Sequence, residues 1–476
     1  MNATYNIDHL QALTHVSSLL NTTAAVGGAA AVNKPKTATT SHYDPTGQEV
    51  ATISNTSYEG VTFAADGTIS GGSLSHDSLH PDGTKLSSTS VGFGSNGKPA
   101  SAEINVQNLD GVGDFKKVQM DMSGVTWNNS FIISTGAVKV LTLDAATGNK
   151  IHDGSLQFDK EAVVSGAITH YDPTHPGTVT GYSDVDYGGA KFLGSTIIGG
   201  QYAVKTQTPD KQLKSNSVIS LSSIGRLQGI ETTNLDPKSA AVTSKVKVDL
   251  SKLVFNARNE FAAGDMNYTA TDTNGVVISE TTVSYNNAVP ALSTTLVYNN
   301  QQVQSKIVVD YTASQFNNNL QVVNSIKKVN IFSGAGALLS STAVAYDQFG
   351  NKTQNAPAAK AAAANAQAAK PTPPKALAAF PKLPAPSDLG ITAKTDETRR
   401  TDGTLEQART TYTQNNNPVA VVVKLYGTDG STVIKTFTLD LSGLSFNAAS
   451  NTVSGALNMQ THLGETLLSS QSSIQY

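Results

Sequence analysis

The segment HDSLHPDG sets His76, Asp77, His80 and Asp82 within eight residues, and its His-x3-His spacing is that of half a metal site. A second histidine pair, His170 and His175, stands in THYDPTHPG. Against coordination, HDSLHPDG falls where a repeating unit places a hairpin turn, and the other copies of that unit carry no histidine pair there. These residues are therefore expected to be ordinary surface turn residues. The recurring aspartates Asp121, Asp249 and Asp440 invite a calcium reading. A calcium loop, however, gathers several carboxylates within about a dozen residues around a glycine turn. Here one carboxylate recurs alone between apolar strand residues, so its expected role is structural: facing away from the core and accepting backbone hydrogen bonds beside a bulge. No G-x-S-x-G, HExxH, P-loop or dinucleotide fingerprint occurs in a supporting context. Catalytic, cofactor-binding and metal residues are all expected to be none, with no cofactor and no enzymatic activity.

The elements that would have to position such residues repeat about every 64 positions. An Asp followed six residues later by a large aromatic occurs as Asp121/Trp127, Asp186/Phe192, Asp249/Phe255, Asp310/Phe316 and Asp440/Phe446. The first four aspartates are spaced 65, 63 and 61 apart, and the fifth lies 130 beyond the fourth, so one copy is missing. A fixed period means a copied supersecondary unit. Tandem copies build length or surface, whereas an active site needs one unique constellation.

Three copies begin VQMDMSGVTW, VKVDLSKLVF and FTLDLSGLSF. Apolar residues alternate at Val118, Met120 and Met122, at Val246, Val248 and Leu250, and at Phe437, Leu439 and Leu441, which marks strands with one buried face. The phase then slips by one, to Val125/Trp127, Leu253/Phe255 and Leu444/Phe446. A one-residue slip turns buried side chains outward unless an extra residue is absorbed, so a bulge is expected at Ser123-Gly124, Ser251-Lys252 and Ser442-Gly443. Nine residues past the aromatic stand Gly72, Gly136, Gly264 and Gly455, and a second glycine follows in a polar turn at Gly83, Gly148, Gly275 and Gly464. Glycine at a hairpin tip supplies the positive φ that a tight turn needs. Strand-end anchors carry the register through Phe93, Phe158, Leu221, Tyr285, Tyr346, Tyr412 and Tyr476.

The expected fold is all-β, with tandem repeats of about four antiparallel strands forming small sandwich- or barrel-like modules, after a short N-terminal helix. The boundaries are 1–37 for the helix (over 7–20) and linker, 38–93 for a partial module, and 94–158, 159–221, 222–285 and 286–346 for full modules. An Ala/Pro/Lys-rich linker spans 347–387, where prolines at 371, 373, 374, 381, 384 and 386 exclude a ladder interior. A C-terminal module covers 388–476. The final strand, Leu467–Tyr476, lacks a following strand pair, and its edge is expected to pair with another subunit.

Composition narrows the function classes. Charged residues are 14 % of 476 and the net charge is −3, which argues against a nucleic-acid partner. There is no cysteine, which excludes disulfides, thiolate metal sites and a cysteine nucleophile. No window reaches the length of a membrane span. The start lacks the basic region of a secretory signal, so export without a cleaved signal peptide is expected.

The turns YDPTGQ (43–48), YDQFGN (346–351) and YDPTHPG (171–177), followed by a strand pair, a Val/Leu-Asp-Leu-Ser-Gly-Leu-x-Phe strand and a strand ending in Tyr, carry a further signal. That order resembles the outer β-domains of bacterial flagellar hook and rod proteins. The resemblance implies a non-enzymatic structural component of an extracellular appendage or surface layer, partnered by itself or by other appendage subunits. The long terminal helices of that family have no counterpart here. A second reading is an adhesin or phage-tail module binding glycans or a cell surface. A third is a polysaccharide-acting enzyme, which would need two carboxylates converging in a groove.

Overall fold

The computed structural model describes residue 16 and, within 34–476, all but 44–46, 48, 65–67, 108–112, 129–130, 194–195, 223–225, 256–260, 287–288, 317–321, 324, 347–351, 354–389, 416 and 448–451. Of the expected helix over 7–20 only Val16 is described, with a helical backbone; the rest of that segment and most of the 347–387 linker lie outside the described residues.

The described chain is all-β and runs in repeats. The first contains β1 (Thr37–Tyr43), β2 (Val50–Ser57), β3 (Val61–Phe63), β4 (Ile69–Leu79) and β5 (Lys85–Phe93). The second has β6 (Pro99–Gln107), β7 (Asp114–Asp121), β8 (Val125–Trp127), β9 (Ile133–Asp144) and β10 (Lys150–Asp159). The third has β11 (Ala162–Tyr171), β12 (Val179–Asp186), β13 (Ala190–Leu193), β14 (Thr196–Gln207) and β15 (Leu213–Leu221). The fourth has β16 (Leu227–Leu235), β17 (Val242–Asp249), β18 (Leu253–Phe255), β19 (Phe261–Thr271) and β20 (Val277–Asn286). In the fifth come β21 (Val289–Asn299), β22 (Gln302–Asp310), β23 (Gln315–Phe316), β24 (Val322–Val323), β25 (Ile326–Ser333) and β26 (Leu338–Tyr346). The sixth keeps β27 (Lys352–Thr353), β28 (Ile391–Arg399) and β29 (Leu405–Gln414). The seventh is β30 (Asn417–Tyr426), β31 (Val433–Asp440), β32 (Leu444–Asn447), β33 (Thr452–Leu463) and β34 (Leu467–Gln475).

The phase slip read from sequence has a backbone counterpart. Asp121 pairs with Lys139, and Val125 with Gly136, so four steps along β7–β8 face three along β9. The same count holds for Asp249/Asn267 with Leu253/Gly264, for Asp440/Asn458 with Leu444/Gly455, and for Ser57/Ser75 with Val61/Gly72. One extra residue is absorbed in each, as a tight turn closed by bonds such as Val125 N–H to Met122 O and Leu444 N–H to Leu441 O. The residue after the repeated Asp turns inward in four copies, with Met122, Tyr187, Leu250 and Leu441 buried, as is Tyr58 after Ser57 in the first repeat; Tyr311, after Asp310, is half-buried. In the fourth repeat Leu250, Leu253 and Met266 form the centre of a small core with Tyr268 and the anchor Tyr285 packed on it.

The glycines nine residues past the aromatic are not at hairpin tips. Gly72, Gly136, Gly264 and Gly455 sit inside the long strands β4, β9, β19 and β33, opposite the extra residue. Gly136 has φ +105°, and a Cβ there would meet the Gly124 carbonyl oxygen at 2.3 Å. These glycines admit the partner backbone where the inserted turn presses on the strand. The second set, at 83, 148, 275 and 464, does hold positive φ in the turns.

Two compact units contain the repeats: Met1–Thr178, Phe192–Ile197 and Thr372–Tyr476 in one, Val179–Lys191 and Ile198–Pro371 in the other. In the first, antiparallel pairing runs β28-β29-β30-β31-β33-β34-β1-β2-β4-β5-β6-β7-β9-β10-β11. In the second it runs β12-β14-β15-β16-β17-β19-β20-β21-β22-β25-β26-β27. Each anchor strand pairs with the first strand of the next repeat, as β5 does with β6 and β20 with β21. Within each unit the repeats are thus consecutive stretches of one sheet rather than separate beads. A block of five thin strands has two edges, and joining to its neighbours satisfies both.

The final strand is not a free edge either. β34 pairs with β1 of the same chain, Thr37 through His42 opposite Gln475 through Ser470. The strand pair that the last anchor lacks downstream is supplied by the N-terminal repeat, and the seventh repeat therefore precedes the first in the sheet.

Gly136→Ala should lower unfolding free energy by about 2 kcal/mol or more, since it adds a positive-φ penalty to a backbone collision. Gly148→Ala, whose φ is +72° with nothing within 4 Å of the added Cβ, should cost about 1 kcal/mol. Urea denaturation of the two variants checks the ordering.

Candidate functional site: the inner face and the clasp of the first unit

Register alone aligns one residue per strand into a row across ten strands: Ile474, Ala38, Thr56, His76, Thr89, Ile104, Val118, Thr142, His152 and His170. All but the half-buried His170 are buried. Polar members are hydrogen-bonded within the face. Thr56 Oγ1 lies 2.9 Å from His76 Nδ1, and His152 Nδ1 lies 3.0 Å from His170 Nδ1. One row over, Thr40 Oγ1 and Ser472 Oγ are 2.9 Å apart, and His42 Nε2 is 3.0 Å from Ser54 Oγ. Cross-strand hydroxyl and imidazole pairs of this kind satisfy polar groups that an apolar face would otherwise leave unpaired.

The structure separates the four residues of HDSLHPDG. His76 is a strand residue of β4, only 4 % exposed, and not the surface turn residue expected. Asp77 faces the opposite side and pairs with Lys85 at 2.9 Å. Only His80, Pro81, Asp82 and Gly83 form the turn, with Gly83 N–H donating to His80 O and Thr84 N–H to Asp82 Oδ1. The repeat itself held the signal. His76 lies four residues past Gly72, as Val140 lies past Gly136 and Met459 past Gly455, and both of those are buried. His170 ends β11 beside His152, whereas His175 is an exposed turn residue 2.9 Å from Asp172. Among the described residues, no three His, Asp or Glu side chains gather as a metal-binding group.

Each landmark aspartate accepts the backbone N–H two residues on: Asp121 from Ser123 at 3.0 Å, Asp186 from Gly188, Asp249 from Ser251, Asp310 from Thr312 and Asp440 from Ser442. Hydrogen bonds from Ser123, Ser251 and Thr312 hold the carboxyls of Asp121, Asp249 and Asp310 below the usual range. In the first repeat Ser57 takes the place of Asp, and its Oγ accepts the Glu59 N–H at 3.4 Å.

A second constellation escaped the sequence. Arg400, in the turn after β28, meets Glu161, in the turn after β10, through Nε–Oε1 at 3.1 Å and Nη2–Oε2 at 3.2 Å. The remaining guanidinium protons go to the carbonyls of Leu405, Gly427 and Tyr426 at 2.8–2.9 Å, so all five donors are used. Asn128 Nδ2 donates to Glu161 Oε1 at 3.0 Å, and Lys98 Nζ caps the Asn128 carbonyl while lying 4.4 Å over the Phe131 ring. Desolvation lowers the Lys98 amine, and Glu406 opposes that shift. Glu161 and Arg400 side chains are only 9 % and 13 % exposed. Lys160 and Glu161 both hold positive φ, 49° and 66°, in a two-residue hairpin turn with no glycine. Along the ladder these two turns lie about a dozen strands apart, ~60 Å in a flat sheet at 4.7–4.9 Å per strand. Their contact shows that the sheet of this unit coils back on itself, and Arg400–Glu161 clasps the two stretches together.

In the imidazole–hydroxyl pairs Ser54 is 1 % exposed beside the half-buried His42, and His76 is 4 % exposed beside the buried Thr56. Lys435 stands on the apolar side of β31 in line with Phe437 and Leu439, and burial pushes its amine down to about 8.

No family model and no curated protein matches the chain. Among solved structures it is similar to a TcdB2-TccC3-TEV crystal structure at 10 % identity and a TM-score of 0.15, covering 87 % of this chain and 24 % of that one. It is also similar to a Photorhabdus luminescens Tc holotoxin pore with a mutated TccC3, at 10 % identity and a TM-score of 0.11, covering 88 % and 25 %. The chain spans about a quarter of the length of each.

Arg400→Met should cost about 3–5 kcal/mol, because it strands a buried carboxylate, and adding Glu161→Met should recover most of the loss. A double-mutant cycle by chemical denaturation measures this. Stability should also depend on pH in two windows. Burial depresses His170 and His462, so below about 6.5 the unfolded chain binds more protons and stability falls on acidification. Lys435 is depressed from an unfolded value near 10.4, so stability rises between about 8 and 10. Melting temperatures of the wild type, His170→Gln and Lys435→Met across pH 5–10 should show each slope flattened in its own variant.

Proposed function

We propose that this protein is a non-enzymatic structural component that acts through its surface and through self-association, in an extracellular appendage or surface layer comparable to the flagellar hook. One observation carries the reading: a single bulged block recurs along the chain and joins its neighbours edge to edge. Its recurrent polar residues are spent on holding that geometry. The landmark aspartates fasten the inserted turns, the inner histidines bond to hydroxyls or to each other, and the buried Arg400–Glu161 pair clasps the coil. Sheet continuity across repeats is also a mode of growth, since a strand edge that accepts the next repeat has the chemistry to accept the edge of another molecule.

The full chain, followed by light scattering and negative-stain microscopy over rising concentration, should pass from monomers to larger or elongated particles. Monomers alone at every concentration would overturn the proposal.

A further inference from the structure

The sheet edges differ in how they are protected. β28 pairs with β29 and, among the described residues, with nothing on its other side; its sequence ITAKTDETR places Lys394, Asp396, Glu397 and Arg399 along that edge. Charges there are a common defence against unwanted pairing. β26, in the second unit, has no such defence. Its sequence LLSSTAVAY is uncharged, and β27 covers only Ala345 and Tyr346. From Leu338 to Val344 the outward edge has no strand partner among the described residues. Leu338 and Leu339 are 57 % and 65 % exposed, although they point to opposite faces of the strand.

Resting on the proposal that the chain self-associates, we propose that the contact is β26 against β26 of a second copy, antiparallel about a two-fold axis at Ser341. An open strand edge needs another strand, because only a strand returns its N–H and C=O groups in register. The sequence is self-complementary in this register. Leu338 falls opposite Val344, Leu339 opposite Ala343, Ser340 opposite Thr342, and Ser341 opposite itself. Each exposed leucine then meets an apolar side chain, and hydroxyls face hydroxyls. No charge opposes a charge. The axis places the seven open residues of each copy together and leaves Ala345 and Tyr346 on β27. Seven paired residues bury well under the ~1,600 Å² of a standard interface, so the contact is weak alone and concentration-dependent.

The chain has no cysteine, so single-cysteine variants report the contact directly. Ser341→Cys on the axis brings two Cα atoms to roughly 4.5–5.5 Å, within disulfide range. Mild oxidation of the full-length variant should yield a covalent dimer, whereas Leu338→Cys in the same strand and Thr395→Cys on β28 should yield little. Leu338→Lys with Leu339→Lys should weaken association at least about tenfold while leaving the melting temperature unchanged. Assembly that persists in the double-lysine variant, or cross-links better at 395 or 338 than at 341, would overturn the β26 contact and leave self-association standing. A chain that stays monomeric under all conditions would overturn both.

Discussion

A sheet with one buried face cannot absorb an uncompensated change of register, and the geometry of this protein follows from meeting that constraint the same way in successive repeats. An extra residue enters after the landmark position, and four steps on one strand face three on the next. Three neighbours make the insertion tolerable. The aspartate fixes the turn through the N–H two residues on. The following residue drops into the core as Tyr58, Met122, Tyr187, Leu250 or Leu441. The glycine opposite yields the space that any Cβ would occupy. Without the insertion, Val125 and Leu253 would exchange faces with Thr126 and Val254, and the buried side of each long strand would lose its partner. Local twist rises at a bulge, and repeated bulges supply the curvature that a flat sheet of this length would lack.

Curvature accounts for the rest of the first unit. A sheet that bends in one sense brings distant strands together, and here the turn after β28 arrives at the turn after β10. That meeting removes charges from water, which is costly unless every donor and acceptor is satisfied. Arg400 meets the condition with five hydrogen bonds, and the strained turn at Lys160–Glu161 is held in place by the contacts it presents. The pairing of β34 with β1 is the other half of the closure. It lets the last repeat serve as the neighbour that the first would lack, so the two chain-terminal strands protect each other's edges.

What depended on period and alternation was legible in the sequence. The slip at Ser123-Gly124, Ser251-Lys252 and Ser442-Gly443 and the anchor strands at Phe93, Phe158 and Tyr285 have the expected backbone counterparts, whereas Phe316 lies in a separate two-stranded ladder. What failed depended on context that period does not carry. His76, which opens HDSL, reads as polar, yet its offset from Gly72 puts it on the inner face, where a hydroxyl from Thr56 satisfies it. The C-terminal edge reads as free from the last repeat by itself, whereas strand edges are properties of the sheet and β34 lies on β1. Arg400 and Glu161 are 239 residues apart, and no local pattern could join them.

The polar pairs of the inner face bear on strand register. Thr56 with His76, Thr40 with Ser472, and Ser54 with His42 complete each other across strands, one residue from each. Such pairs favour one register, because a slip by two residues in one direction would set Thr56 against Leu74 and Thr40 against Ile474. On a sheet built of near-identical blocks, where Val, Thr and Ser alternate almost everywhere, apolar burial alone distinguishes poorly between neighbouring registers. The buried histidines and hydroxyls then act as register marks.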